Sequence, residues 1–79
     1  MLLVMVTQVT EKVEYDDRMK ATITGTIKTP LIVNLNHILS IAPSNIIDGA
    51  NTVLFPIGET SFIYVEEVIE KFSNFAVTL

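Results

Sequence analysis

Few side chains in this sequence have the types and spacing that catalysis or metal binding requires. His37 is the only histidine among 79 residues, and cysteine is absent. A metal site needs several ligands at fixed spacing, and a nucleophile needs a base that is itself oriented by a third group. No such set accompanies His37, which we interpret as a loop residue. We therefore predict no catalytic residue, no metal ligand and no cofactor, and we expect that the protein is not an enzyme.

A first acidic group lies near the middle of the N-terminal half. Glu14, Asp16 and Asp17 form a charged stretch with Arg18 and Lys20. A divalent-cation loop would need more oxygen ligands at regular spacing and a glycine at the bend. Aspartate clusters are instead typical of turns, because the short carboxylate bonds to the nearby backbone. Residues 15–17 are therefore predicted to be a solvated turn.

A second acidic group lies where the hydrophobic period becomes helical. The apolar residues at i, i+3, i+4 and i+7 are Val65, Val68, Ile69 and Phe72. This spacing predicts a helix from about residue 65 to residue 74 that directs these four side chains inward. Glutamates in the first turn would also interact favourably with the helix dipole. The solvent side of this helix would carry Glu66, Glu67, Glu70 and Lys71.

The elements before this helix are predicted to be strands. Apolar and β-branched runs between turn residues indicate strands at about residues 2–12, 21–27, 31–35, 38–42, 52–55 and 61–65. Pro30 is predicted to end the second strand, and Gly25 indicates a bulge or bend within it. The first two strands would pair as a long hairpin, as would those at 38–42 and 52–55. Residues 76–79 would either add an edge strand or trail off.

These elements predict one domain, residues 1–79, of mainly β class. It would be β with one C-terminal α-helix, built either as a small antiparallel sheet or as an SH3-like open barrel. A domain of this length has a modest core, because it buries only about 60–65% of the surface that its unfolded chain exposes.

The composition predicts an interface. Apolar residues make up 49% of the chain and charged residues 18%, so more apolar side chain is present than a small core hides. We expect a second copy or another protein to cover the surplus. Ile46 and Ile47 are the first candidates, because they lie in a loop at residues 43–51. They either fold back onto the sheet or form part of an interface.

The charge separates two functional hypotheses. The net charge is −4, which argues against a nucleic-acid partner, since phosphates are bound by excess lysine and arginine. We predict a small protein–protein interaction module or accessory factor that self-associates into a homo-oligomer. The alternative is an acidic inhibitor or regulator, as some phages encode, that binds a basic nucleic-acid-binding surface of a host protein. Its contacts would include Glu14, Asp16, Asp17, Glu66, Glu67 and Glu70. Its binding would weaken strongly with salt.

The cellular location is predicted from cysteine usage and from the N-terminal residues. The lack of cysteine favours the cytoplasm, since small secreted domains usually depend on disulfides. The apolar run at residues 1–6 is too short for a signal sequence or a membrane span. We therefore predict that it is a strand and expect no membrane partner.

The order of features from Leu31 to Phe72 resembles a family of very small proteins. The matching segments are Val-Asn-Leu-Asn at 33–36, Ile-Leu-Ser-Ile at 38–41, Thr-Val-Leu-Phe at 52–55, Phe-Ile-Tyr-Val at 62–65 and Glu-Glu-Val-Ile-Glu-Lys at 66–71. This pattern is similar to the FlbD-type flagellar and swarming-motility proteins and to short phage-encoded proteins that share it. The resemblance implies a small non-enzymatic β domain that acts through protein contacts.

Overall fold

The computed structural model describes residues 2–73 as one five-stranded antiparallel sheet followed by a single helical turn. The elements are β1 (Leu3–Tyr15), β2 (Ala21–Asn34), β3 (Ile38–Pro43), β4 (Thr52–Pro56), β5 (Ile63–Val65) and α1 (Glu70–Ser73). The strand order in the sheet is β2-β1-β5-β4-β3. The predicted mainly β class with one C-terminal helix is confirmed. No helix among the described residues is long and apolar enough to cross a membrane.

The first two strands form the predicted long hairpin. Their register runs from Leu3 opposite Asn34 to Tyr15 opposite Ala21. Asp16 closes the turn between them, because its carboxylate accepts hydrogen bonds from the backbone N–H groups of residue 18 at 2.9 Å and residue 20 at 2.8 Å. The predicted turn is therefore confirmed for Asp16 and Asp17, whereas Glu14 and Tyr15 belong to β1.

The predicted end of the second strand at Pro30 is wrong. β2 continues through Pro30 to Asn34, so two predicted strands are one. Pro30 lies opposite Thr7, whose N–H and C=O both bond away from β2, towards residues 66 and 67. Pro30 and Thr7 therefore exchange no hydrogen bonds, and the nitrogen of Pro30 faces away from β1. Because β2 is an outer strand, no other strand lies on that side. The missing N–H of proline is therefore tolerated.

The sheet buries side chains on both of its faces. One face, which we call the helix face, carries the larger cluster, whose buried members are Val4, Val6, Val33, Leu54, Val65 and Phe72. The opposite face, which we call the loop face, carries a smaller cluster of Val9, Ile47 and Ala50, with Tyr64 packed against it. Because successive side chains of β1 alternate, Val6 and Val9 belong to different faces. The core is thus divided by the sheet.

The helix predicted from residue 65 begins later than expected. Val65 is fully buried in β5, where it pairs with Thr52 of β4 and Gln8 of β1. Val68, which was predicted to face inward, is 52% exposed, whereas Phe72 is 4% exposed. Within residues 2–73 the helix covers Glu70–Ser73. Its predicted end at residue 74 lies outside the described residues, as does the strand predicted at 76–79.

Part of the β1–β2 hairpin extends beyond the rest of the sheet. All residues from 10 to 28 are exposed, so neither face of the hairpin is covered there. The molecule measures 52 × 24 × 19 Å, and its radius of gyration of 14.4 Å exceeds the roughly 12 Å expected for a compact chain of this length. We call residues 10–28 the arm, and the remainder the body.

Candidate interaction surface

The two faces of the arm differ in polarity. Val13 and Tyr15 lie on the loop face, because they alternate in step with Val9 along β1. Ile23 and Ala21 lie opposite them on β2 and share that face. The exposed fractions of Val13, Tyr15 and Ile23 are 43%, 65% and 60%. These three large apolar side chains therefore form one uncovered surface, which we call the arm patch.

The helix face of the arm is mostly polar. On β1 it carries Thr10, Lys12 and Glu14, and the Lys12 and Glu14 side chains form an ion pair at 3.6 Å. On β2 it carries Ile27, which lies opposite Thr10. Ile27 is the one large apolar residue that the register places on this side of the arm. The arm is thus an amphipathic ribbon.

A β-bulge places Ile23 in the arm patch. The register passes from Lys12 opposite Gly25 to Val13 opposite Ile23, so Thr24 has no partner on β1. In an uninterrupted ladder Thr24 would lie opposite Val13, and Ile23 would be directed to the polar side. The predicted bulge near Gly25 is confirmed, and its effect is to align Val13 with Ile23.

The charges of the arm balance, whereas those of the body do not. The whole chain has nine acidic and five basic side chains. Residues 10–28 contain four of the acidic and four of the basic ones. The rest of the chain therefore has five acids and one base, Lys71, and carries the whole net charge of −4. The arm patch lies on an electrically neutral element that extends from an acidic body.

The two isoleucines predicted as interaction residues have different positions. Ile47 is buried against Val9 and Ala50 on the loop face, so it folds back onto the sheet. Ile46 is 75% exposed. The loop lies close to the base of the arm, because a Cβ atom added to Gly49 would lie 3.9 Å from Cε of Lys28. Ile46 is therefore an exposed apolar side chain in the loop whose Ile47 and Ala50 cover Val9 at the base of the arm.

The acidic interaction residues predicted on the solvent side of the helix, Glu66, Glu67 and Glu70, do not form one surface cluster. Glu66 pairs with Lys28 of the arm at 3.0 Å, and Glu70 is exposed in α1. Glu67 accepts a hydrogen bond from the backbone N–H of Thr7 at 2.8 Å. Partial burial by itself raises the pKa of Glu67, but hydrogen bonds from Thr7 and from its own backbone, together with Lys71, lower it overall. Glu67 is thus an ionised structural residue.

The backbone of residues 65–67 is held by β4. The fully buried Thr52 hydroxyl donates a hydrogen bond to the carbonyl of Glu67 at 2.6 Å. The Asn51 side-chain amide donates to the carbonyl of Glu66 at 2.7 Å, and the Asn51 N–H donates to the carbonyl of Val65 at 2.9 Å. These bonds explain why the segment is not helical: Val65 ends β5, and residues 66 and 67 form a bend.

Two further polar features are His37 and a shallow groove at the end of β3. His37 is exposed in the 3₁₀ turn Leu35–His37, and its carbonyl accepts a hydrogen bond from the Ile57 N–H at 2.8 Å. A shallow groove of about 360 Å³ is lined by Pro43, Ser44, Asn45 and Asn51, none of which is titratable. Within residues 2–73, no three His, Asp or Glu side chains lie close enough together to hold a metal ion.

The outer strands are poorly suited to pairing with another chain. β2 is interrupted by the bulge at Thr24 and by Pro30, and β3 has a register shift at Leu39 and ends at Pro43. Bulges and prolines are devices that protect free sheet edges. The faces of the sheet are therefore more accessible for binding than its edges.

The arm patch is the surface that sequence reasoning missed. The apolar pattern of β1 and β2 predicts a hairpin, but it does not indicate where the body stops covering that hairpin. The alternation of Val9, Val13 and Tyr15 with polar neighbours is the one local signal of a shared face. No protein-family model, curated protein or solved structure matches this chain.

Proposed function

We propose that this protein is a small non-enzymatic interaction module that binds proteins through the arm patch. The observation that carries the proposal is the position of Val13, Tyr15 and Ile23, which are exposed together on one side of a two-stranded ribbon. Apolar side chains grouped in this way are typical of interaction sites, whereas single exposed ones are ordinary.

The physical reason concerns the stability of the arm. A two-stranded hairpin in water is only marginally stable, and a third layer is usually needed to cover its apolar face. The body supplies that layer as far as Val9, which Ile47 and Ala50 cover. A bound protein would supply it for the arm patch, with a gain of about 25 cal/mol for each Å² of apolar surface buried.

The acidic-inhibitor alternative has less support from the geometry. Its six candidate residues are divided between the body and the arm, and four of them already have partners. Glu14 pairs with Lys12, and Asp16 accepts two backbone hydrogen bonds in the turn. Glu66 pairs with Lys28, and Glu67 bonds to Thr7. The resemblance of residues 31–72 to small motility and phage proteins agrees with an interaction module. The cytoplasm is the proposed compartment, which the cysteine-free composition supports.

The test compares two variants that differ in the face they alter. Val13→Thr combined with Ile23→Thr removes the apolar character of the arm patch while keeping β-branched residues in both strands. Ile27→Thr makes the same kind of change on the polar side of the same arm. The tagged wild-type protein and both variants are used for affinity capture from lysate of the source organism, with washes at low and high salt and quantitative mass spectrometry.

The proposal predicts one or more proteins that remain after the high-salt wash, are lost with the double variant and are kept with Ile27→Thr. Copies of the chain itself count as such a partner. Identical captured sets for all three proteins would contradict the proposal. A partner that is released by salt and is indifferent to both variants would favour the acidic-inhibitor alternative.

A further inference from the structure

We propose that the arm patch binds a second copy of the chain, with two arms packed face to face and antiparallel in a symmetric dimer. This inference rests on the proposed function and names its partner. Three observations carry it: the distribution of charge, the spacing of the apolar residues along the arm, and the area that they offer.

The distribution of charge selects the antiparallel orientation. The arm is neutral and the body carries the net charge of −4. Two arms packed in parallel would place the two bodies side by side, about 10 Å apart, which is the spacing of packed sheets. If the dimer axis passes near Val13, antiparallel arms place the two Val9 positions about 27 Å apart, at 3.4 Å per residue. That distance is more than three Debye lengths at physiological salt, about 8 Å each.

The spacing of apolar residues fits this axis. Val9, which the loop bearing Ile46 covers, lies four residues before Val13, and Asp17 in the turn lies four residues after it. An antiparallel partner would therefore bring its turn, with the exposed Met19, onto the Ile46 loop. The same contact would occur twice because of the symmetry. Ile46 and Met19, which are 75% and 76% exposed, would then be covered together with the arm patch.

The charges within the contact do not oppose it. On the loop face the arm carries Glu11 and Lys28, and Lys28 already pairs with Glu66. The turn carries two acids and two bases at residues 16–20. Tyr15 of one copy would lie over Glu11 of the other, since each is two residues from Val13. The Tyr15 hydroxyl is a hydrogen-bond donor for that carboxylate.

The area predicts a weak dimer. The exposed parts of Val13, Tyr15, Met19, Ile23 and Ile46 offer roughly 250–450 Å² of apolar side chain per copy. Interfaces are about 60% apolar, so the total would be roughly 400–750 Å² per copy. Stable complexes bury about 600–1,000 Å² per partner. This estimate overlaps only the lower part of that range, so we expect a weak dimer that forms at high protein concentration.

The first measurement is sedimentation equilibrium of the wild-type chain over a concentration series at low and high salt. A monomer–dimer equilibrium is expected that salt does not weaken. The double variant Val13→Thr/Ile23→Thr should raise the dissociation constant at least about tenfold, because each substitution occurs twice in the dimer. Ile27→Thr should leave it unchanged. A wild-type monomer at millimolar concentration, or equal effects of the two variants, would overturn the inference.

The second measurement tests orientation, and it does not depend on a variant that weakens the dimer. The chain has no cysteine, so Asp17→Cys gives one spin label at the exposed tip of the arm. Antiparallel arms predict a backbone separation of about 27 Å between the two labelled positions, measured by pulsed electron spin resonance. Adjacent tips, as in a parallel dimer, would overturn the proposed geometry. If the chain is monomeric but the arm patch still captures another protein, the self-association fails and the proposed function stands.

Discussion

The carboxylate of Glu67 accepts a hydrogen bond from the backbone N–H of Thr7 at 2.8 Å, although the two residues are 60 positions apart. The adjacent Lys71 side chain donates to the carbonyl of Met5 at 3.1 Å. From Met5 to Thr7, the side of β1 that faces away from β2 has no neighbouring strand, because β5 pairs with β1 only at Gln8. Side chains of the C-terminal segment therefore take the place of a strand in completing the hydrogen bonds of β1.

The variant Glu67→Ala should destabilise the fold because it leaves the N–H of Thr7 without its acceptor. A hydrogen bond to a charged group contributes about 1.5–3 kcal/mol, and partial exposure places this one near the lower value. Urea denaturation followed by circular dichroism measures the loss. The matched control is Glu70→Ala, which removes an exposed carboxylate and should change the free energy of unfolding by less than about 0.5 kcal/mol. Equal effects would show that the bond to Thr7 does not stabilise the protein.

The stability should also depend on pH through Glu67. Its pKa in the folded protein is lowered, so the unfolded chain binds a proton more readily than the folded one. The stabilisation is fully present above the pKa of the unfolded chain, about 4.3, and is lost as the pH falls through the lower folded pKa. Unfolding free energies measured from pH 6 to pH 3 should fall more steeply for the wild type than for Glu67→Gln. Parallel profiles would contradict the assignment.

The buried hydroxyl of Thr52 is expected to be important for the conformation of residues 65–67. Thr52→Val keeps the shape of the side chain but leaves the carbonyl of Glu67 without a donor, which should cost about 1–3 kcal/mol. Thr22→Val is the control, because Thr22 is exposed on the arm. Chemical denaturation of both variants provides the comparison. A Thr52→Val protein as stable as the control would indicate that water satisfies the carbonyl.

The apolar stripe that predicted a helix can be tested at two of its four positions, Val68 and Phe72. Phe72→Ala should lower the free energy of unfolding by about 3–5 kcal/mol, because this side chain is buried in the helix-face cluster. Val68→Ala should have an effect of less than about 0.5 kcal/mol, since half of Val68 is exposed. Thermal unfolding of the two variants distinguishes the observed fold from the predicted helix, in which both residues would be core. Similar losses at the two positions would favour the helix.

Sequence reasoning placed the strands well where local chemistry decides them. The β1–β2 hairpin, the turn at Asp16 and the β3–β4 hairpin follow from alternating residues and turn residues that lie close together in the chain. Gly58, at the predicted turn after β4, has a φ of 75°, which glycine adopts without strain. In these places the interactions that determine the structure lie within a few residues of one another.

The candidate site was only partly predictable. Ile46 and Ile47 were identified as candidates in the loop, but the sequence left open whether they fold back onto the sheet or form part of an interface. The arm patch was not predicted, because Val13, Tyr15 and Ile23 belong to a hairpin whose pattern does not change where the body ends. The bulge that aligns Ile23 with Val13 depends on a shift of one residue in the register. A shift of this size changes the face of every side chain beyond it.

By itself, the sequence determined the mainly β class, the two hairpins, the polar turn and the net charge of −4. The tertiary structure alone decided that Val65 belongs to a strand, that Glu67 bonds to β1 and that the arm is uncovered. The physical reason is the range of the interactions. Helical periodicity at residues 65–72 is a local preference, whereas the bonds from Thr7, Asn51 and Thr52 come from distant strands and together outweigh it.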